Sequence, residues 1–191
     1  MTIRTLLILG HPNPASFNAA LADAYAEAAQ QAGRELRRLD LHALRFDPIL
    51  HAAYRGEQAL EADLQAAQTA MLWAQEIVWI YPVWWGGLPA LLKGFLDRVL
   101  LPGFAYKFHP GHLRWDRLLK GRTTRIIVTQ DTPGWYDRLA YGRPAWRQMK
   151  HTVLAFCGLK LLSSTLYAPV VSSTPALRER WLADVRRLAK L

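Results

Sequence analysis

The segment Ile77-Val78-Trp79-Ile80-Tyr81 is β-branched or aromatic at every position, with Glu76 before it and Pro82 after it. A strand that is apolar at successive positions, and not only at alternate ones, must be buried on both faces. Helices above and below a parallel sheet provide that burial. The rest of the chain repeats the arrangement: Ile3 to Leu9, Leu36 to Leu41, Thr124 to Thr129 and Leu161 to Tyr167 read as four further strands. Between them lie helical patterns. Phe17, Ala20, Leu21, Ala24, Tyr25 and Ala28 recur at three- and four-residue steps after Ser16, and Gly33 stands where such a helix would stop. A second helix is expected over Glu57 to Trp73. A third carries Leu88, Leu91, Leu92, Phe95, Leu96 and Val99, with Pro89 in its first turn, and a fourth spans Ala145 to Phe156 with Trp146, Met149, Val153 and Phe156 inward. The last carries Leu177, Trp181, Val185 and Leu188, with Thr174 as cap and Pro175 in its first turn. Five strands alternating with five helices predict a flavodoxin-like doubly wound α/β fold, strand order 2-1-3-4-5.

With 191 residues, the chain suits one domain spanning 1–191. The longest uncharged stretch, Ile77 to Leu92, is broken by Pro82, Gly86, Gly87 and Pro89 and falls short of the ~20 apolar residues of a membrane span. A lone cysteine, Cys157, cannot form an internal disulfide, and the start offers no small-residue cleavage site, so a cytoplasmic location is expected. The net charge of +9 is spread over Arg34, Arg37 and Arg38, over Arg114 to Arg125, and over Arg178 to Arg187, as solvated helix faces. No zinc-ligand or RNP-type pattern accompanies it, so nucleic acid is not expected as a partner.

Ligands of open parallel sheets bind outside the carboxyl ends of the strands, which singles out three loops. Gly10 to Asn18 reads GHPNPASFN, with Ser16 and Asn18 at a helix start whose free amide hydrogens favour an anion; Ser16 serves equally as a plain N-cap. The loop is neither GxGxxG nor GxxxxGK, so it carries neither the dinucleotide nor the P-loop signature. Pro82 to Leu88 places Trp84, Trp85, Gly86 and Gly87 at the end of the central strand, where a planar ligand can lie against backbone and indole. Gln130 to Tyr141 follows a strand with Thr129, Gln130 and Asp131 as hydrogen-bonding groups and Tyr136 and Tyr141 as phenols.

Together HPNPASFN, PVWWGGLPALLKGFLDRVLLPGFAY and FCG resemble the NAD(P)H:quinone oxidoreductase (flavodoxin-2, DT-diaphorase-like) family over nearly the whole chain. The most specific part is Trp85, Gly87, Leu88, Pro89, Ala90, Leu92, Lys93 and Gly94, followed by Arg98 and Gly103-Phe104-Ala105-Tyr106. The resemblance implies a non-covalently held flavin, reduced by NAD(P)H and reoxidised by a quinone or similar acceptor in a ping-pong cycle. By position it implies that His11, Ser16, Phe17, Asn18 and Ala20 surround the flavin phosphate and ribityl chain. Pro82, Val83, Trp84, Trp85 and Gly86 would line the isoalloxazine, and Thr129, Gln130, Asp131 and Thr132 its other edge. Tyr106, Phe108 and Phe156 match the walls of the nicotinamide and acceptor pocket, partly across a homodimer interface, and Tyr136 matches the active-site tyrosine.

Two departures stand out. Thr129-Gln130-Asp131-Thr132-Pro133 replaces the Thr-Thr-Gly-Gly of mammalian members, bringing a carboxylate near the flavin, and no histidine follows Tyr136 until His151. Hydride transfer between stacked rings depends on orientation more than on an acid, so the expected reaction class survives the second change. Without a long insert before the third strand or an extra C-terminal domain, the chain resembles the compact bacterial members, and FMN is expected over FAD. Two other functions fit the same resemblance: a flavin-binding regulatory subunit of a potassium-efflux transporter, for which the +9 charge would suit peripheral contact with an anionic leaflet, and a flavodoxin-type electron carrier. His109 and His112 in HPGH lack helical spacing and a third ligand, so no metal is expected. Cys157, in AFCGL, reads as a buried inert thiol, and Lys93 and Arg98 as ion-pair partners or cofactor contacts.

Overall fold

The computed structural model describes residues 2–51, 53 and 56–191. Its main sheet is five-stranded and parallel, in the order β2-β1-β3-β6-β7, formed by β1 (Arg4–Leu9), β2 (Glu35–Asp40), β3 (Glu76–Pro82), β6 (Thr123–Thr129) and β7 (Lys160–Tyr167). Allowing for the small hairpin strands β4 and β5 between β3 and β6, this is the expected order. Side chains alternate across the sheet as strand geometry requires. Leu6, Ile8, Ile77, Trp79, Tyr81, Ile126 and Val128 enter one core with helices α2 (Ala62–Trp73) and α3 (Ala90–Val99). Leu7, Leu9, Val78, Ile80 and Ile127 enter another with α1 (Phe17–Gln31) and the C-terminal helix Pro175–Leu188. The central strand is therefore buried throughout, and each of its large side chains contributes about 1.5–3 kcal/mol on leaving water. Trp79 can be buried because its indole N–H donates to Thr124 Oγ1 at 3.1 Å.

Several boundaries differ from expectation. The second helix begins at Ala62, not Glu57, because residues 58–61 are held extended by tertiary bonds: Gln58 to the backbone of Ile49 and His51, and Ala59 O and Glu61 to Arg98. Pro89 is the N-cap of α3 and lies one residue before its first turn. The fourth helix runs as Pro144–Arg147, a π-helical stretch Gln148–Leu154 and Ala155–Cys157. The loop from Leu101 to Gly121 holds a hairpin, β4 (Tyr106–Phe108) against β5 (Trp115–Arg117), stitched by aromatic contacts among Tyr106, Phe108, Trp115 and Phe156. Thr174 caps the last helix as expected, its hydroxyl accepting from Leu177 N.

Arg98 is fully buried and bonds Asp47 O, Ala59 O and both carboxylate oxygens of Glu61, so it is a structural anchor for the segment before α2. Lys93 pairs with Asp97 one turn along α3, and His109 pairs with Asp116. Cys157 is buried, and burial pushes its thiol up to about 11. Among the described residues no helix is long and apolar enough to cross a membrane.

Candidate active site

Three loops leave the carboxyl edge of the sheet side by side because the hydrogen-bond ladder continues one residue past the strands: Gly10 N donates to Ile80 O, Val83 N to Thr129 O and Gln130 N to Tyr167 O. Gly10 is also a close approach, since a Cβ there would lie 3.0 Å from Leu92 and 3.2 Å from Tyr81.

In the first loop, Asn13 Oδ1 accepts from Ala15 N, and His11 Nδ1 accepts from Asn13 N at 2.9 Å. That bond leaves the His11 ring proton on Nε2, and burial lowers its pKa. Ser16 caps α1 through a 3.2 Å bond from Ala19 N, leaving the amide hydrogens of Phe17 and Asn18 at the open helix end. Asn18 is buried; its Nδ2 donates to Thr129 Oγ1 at 2.8 Å, and its Oδ1 has no partner. Whichever way the amide is turned, one end of it meets the cleft unsatisfied.

The second loop turns sharply, with Trp84 N and Gly87 O, and Gly87 N and Trp84 O, bonded at 3.1 and 2.9 Å. Both central residues take positive φ, 52° at Trp85 and 68° at Gly86. Glycine adopts this freely, but for tryptophan it is strained, a feature that concentrates at ligand sites. Both tryptophans are exposed, Trp85 completely, and Trp84 meets His11 edge to face at 5.5 Å. In the third loop, Gln130 Nε2 donates to Thr132 O, and Asp131 Oδ1 accepts from Val171 N at 2.7 Å, which ties down the segment after β7.

These loops enclose two adjoining spaces. A cleft of about 190 Å³ is lined by His11, Ser16, Phe17, Asn18, Pro82, Val83, Trp84, Thr129, Gln130 and Asp131, and by Val170. A wider chamber of about 700 Å³ shares Val83, Gln130 and Asp131 and adds Trp85, Gly86, Thr132, Asp137, Ala140, Tyr141 and Pro144. Thus thirteen of the fourteen positions assigned to the cofactor line one space or the other. The exception is Ala20, which stands one turn into α1 and lines neither.

Tyr136 lines neither space. It backs Tyr141, whose ring lies 5.2 Å away and does line the chamber, and the neighbouring Tyr136 phenol raises the Tyr141 pKa and keeps it protonated. Tyr106 and Phe156 line a separate groove of about 240 Å³ with Lys93 and Cys157 and, with Phe108 packed against both, form a cluster that shares no residue with the cleft. Sequence reasoning missed Asp137 and Val170. Val170 follows the last strand, so the carboxyl-edge rule itself was a usable signal; Asp137 lies within the Gln130 to Tyr141 loop that the same rule singles out, but its turn toward the chamber depends on a π turn (Asp137–Tyr141).

Comparison with known proteins agrees with this geometry. The model of the flavodoxin-like fold family Flavodoxin_2 matches residues 3–189. An NAD(P)H dehydrogenase [quinone] 1 from Cavia porcellus is 34% identical over 209 aligned positions, covering 96% of this chain and 75% of that protein. An uncharacterized NAD(P)H oxidoreductase from Haemophilus influenzae is 40% identical over 128, covering 65% of this chain and 62% of that protein, so the match spans less than two thirds of that relative's length. A Streptococcus mutans structure superposes with a TM-score of 0.79 at 27% identity, covering 98% of this chain and 99% of the other. A Bacillus anthracis FMN-dependent NADH-azoreductase in complex with FMN shares the fold at 15% identity with a TM-score of 0.71, covering 98% of each chain. Sheet order, loop geometry and sequence match thus converge, and the chain belongs to the Flavodoxin_2 family of flavodoxin-like folds, the NAD(P)H:quinone oxidoreductase family that its loops resemble.

Proposed function

We propose that the chain is a flavin-dependent NAD(P)H oxidoreductase that holds FMN and reduces quinones or related acceptors by a ping-pong mechanism. The observation that carries this reading is the buried Asn18 amide oxygen, without a partner at the open end of α1, set in a cleft that widens into an aromatic-walled chamber. A helix N-terminus with a spare side-chain hydrogen-bonding group suits a phosphate and its polyol chain, and an adjoining slot suits a planar ring. The residues present therefore fit FMN.

The phosphate would rest on the Phe17 and Asn18 amides, with Ser16 fixing the helix end and His11 offering Nε2–H. The Trp84–Gly87 turn would offer the Trp85 and Gly86 amides, which have no backbone partner among the described residues, to the polar edge of a ring, with Val83 and Trp85 beside it. When bound, FMN supplies two-electron chemistry, taking a hydride equivalent from NAD(P)H and delivering one to the acceptor. Tyr141 offers a protonated phenol to the chamber, and Tyr136 acts through it as a positioning residue. The names of the relatives support an enzyme over a transporter subunit or an electron carrier. Tyr106, Phe108 and Phe156 would reach an active site only from a partner, which favours a homodimer, and the reading places the protein in the cytoplasm as a single domain.

The test is the visible spectrum of the purified protein, identification of any released flavin, and anaerobic titration with NADH and NADPH. Bound FMN that bleaches with a nucleotide and recolours with quinone is the expected result. Absence of flavin affinity overturns the reading.

A further inference from the structure

The chamber beyond the cleft has an electrostatic character that the chain as a whole does not share. The protein carries 24 Lys and Arg against 15 Asp and Glu, yet among the described residues no lysine, arginine or histidine lines this space, while Asp131 and Asp137 both do. Asp137 is only 8% exposed. Its backbone is engaged, N to Pro133 O and O to Arg143 N, but among the described residues its carboxylate has no hydrogen bond and no ion pair. Arg143 lines an adjoining pocket with Asp137 but makes no ion pair with it; its guanidinium lies over the Trp146 ring, 4.9 Å from the centroid. Asp131 spends one oxygen on Val171 N and is otherwise exposed. The opposite walls are the indole of Trp85 and the phenol of Tyr141, whose faces attract cations.

A buried carboxylate without a partner is costly, and the cost is relieved by a cation or a strong donor brought in by a ligand. An anionic ligand meets repulsion from both carboxylates. We propose that this chamber selects electron acceptors bearing a cationic amino or ammonium group over anionic ones, with Asp137 as the specificity-determining residue. The proposal rests on the flavoenzyme reading for the word acceptor, but not for the binding preference.

The test uses three naphthoquinones of one ring system, carrying a trimethylammonium group, no substituent, or a sulfonate. Each is titrated into the full-length protein at fixed ionic strength by tryptophan quenching, and kcat/KM is measured for each with NAD(P)H. Two carboxylates at about tenfold each predict that the cation is bound about 100-fold more tightly than the sulfonate. Asp137→Asn should cut that ratio about tenfold. Asp137→Glu should retain it, which separates charge from damaged packing, and Glu179→Gln on the C-terminal helix should leave it unchanged. A wild-type ratio near one, or a ratio that Asp137→Asn does not move, overturns the proposal. If flavin and turnover are absent but the binding ratio holds, the flavoenzyme reading has failed and the cation preference has not; turnover of neutral quinone with a binding ratio of one is the reverse.

Discussion

Replacing Arg98 with methionine separates anchor from ligand. The guanidinium is fully buried on α3, and both terminal nitrogens are spent on Asp47 O, Ala59 O and the two Glu61 oxygens, while its Nε has no partner. Methionine keeps the apolar stem and removes every one of these bonds. Breaking a buried ion pair typically costs ~3–5 kcal/mol. Here the Glu61 side chain is one-third exposed (33%) and can recover water, which argues for the low end, about 3 kcal/mol. For a domain of this size that is a fall in Tm of roughly 6–12 °C. None of the described residues from 44 to 61 lines the cleft or the chamber, so flavin retention at 25 °C should be unchanged. The loss should also shrink in acid. Burial raises the Glu61 pKa, but bonds from the Asp47 and Glu61 amides and from Arg98 outweigh it, so the folded pKa lies below the unfolded one. Such a group contributes stability above its unfolded pKa and loses it as pH falls below that value and through the lower folded one. The assay is urea unfolding of wild type and variant at pH 7 and pH 3.5. A destabilisation under about 1 kcal/mol, or flavin lost in parallel with it, refutes the reasoning.

Ser16→Ala removes one cap bond and should lower stability by about 1 kcal/mol, measured in urea, while flavin dissociation rises by more than that loss explains. Asn18→Ala should weaken flavin retention more than folding; full occupancy in both variants would place the phosphate elsewhere. Trp85→Gly relieves a left-handed residue that packs against nothing and should raise stability by about 1 kcal/mol while lowering quinone affinity, read by Tm and KM. The His11 ring should titrate below pH 6.5 by NMR; because burial lowers its folded pKa, its contribution to stability is present above the unfolded pKa and declines as pH falls through the interval between the two. A His11 pKa above 6.5 would contradict that burial.

The scaffold was legible because its signals are local and repeated. An all-apolar strand at Ile77 to Tyr81 demands two covered faces, and the structure divides its side chains between two cores. The Ser16 and Thr174 caps likewise announce themselves by chemistry. What escaped was set by distant partners. The helix expected from Glu57 starts at Ala62 because Arg98, far along the chain, holds Ala59 and Glu61 extended. The Tyr106–Arg117 hairpin depends on Phe156, and the position of Asp137 on a π turn whose extra residue breaks the 3.6-residue period on which sequence reading depends. Asp131 lines the cleft, and its bond to Val171 joins two loops that sequence separation hides.

The same contrast explains where the molecule concentrates its unfavourable features. In the sheet beneath the site Trp79 satisfies its indole N–H through Thr124, and β3 pairs with β6 in unbroken register, although the buried Tyr81 hydroxyl has no partner. At the carboxyl edge stand a strained and wholly exposed tryptophan, a buried amide oxygen without a partner and, on the largely buried Asp137, a carboxylate that makes no hydrogen bond or ion pair among the described residues. Each would be selected against in a passive scaffold, since each lowers stability for nothing. Their shared location around one continuous space makes them intelligible as groups awaiting a ligand: a phosphate and polyol for Asn18, a planar ring for Trp85, a cation for Asp137. If binding supplies all three, the holoprotein should be more stable than the apoprotein by RT ln(1 + [L]/Kd), and each of the three substitutions should reduce that ligand-dependent gain even where it leaves the apoprotein as stable as before.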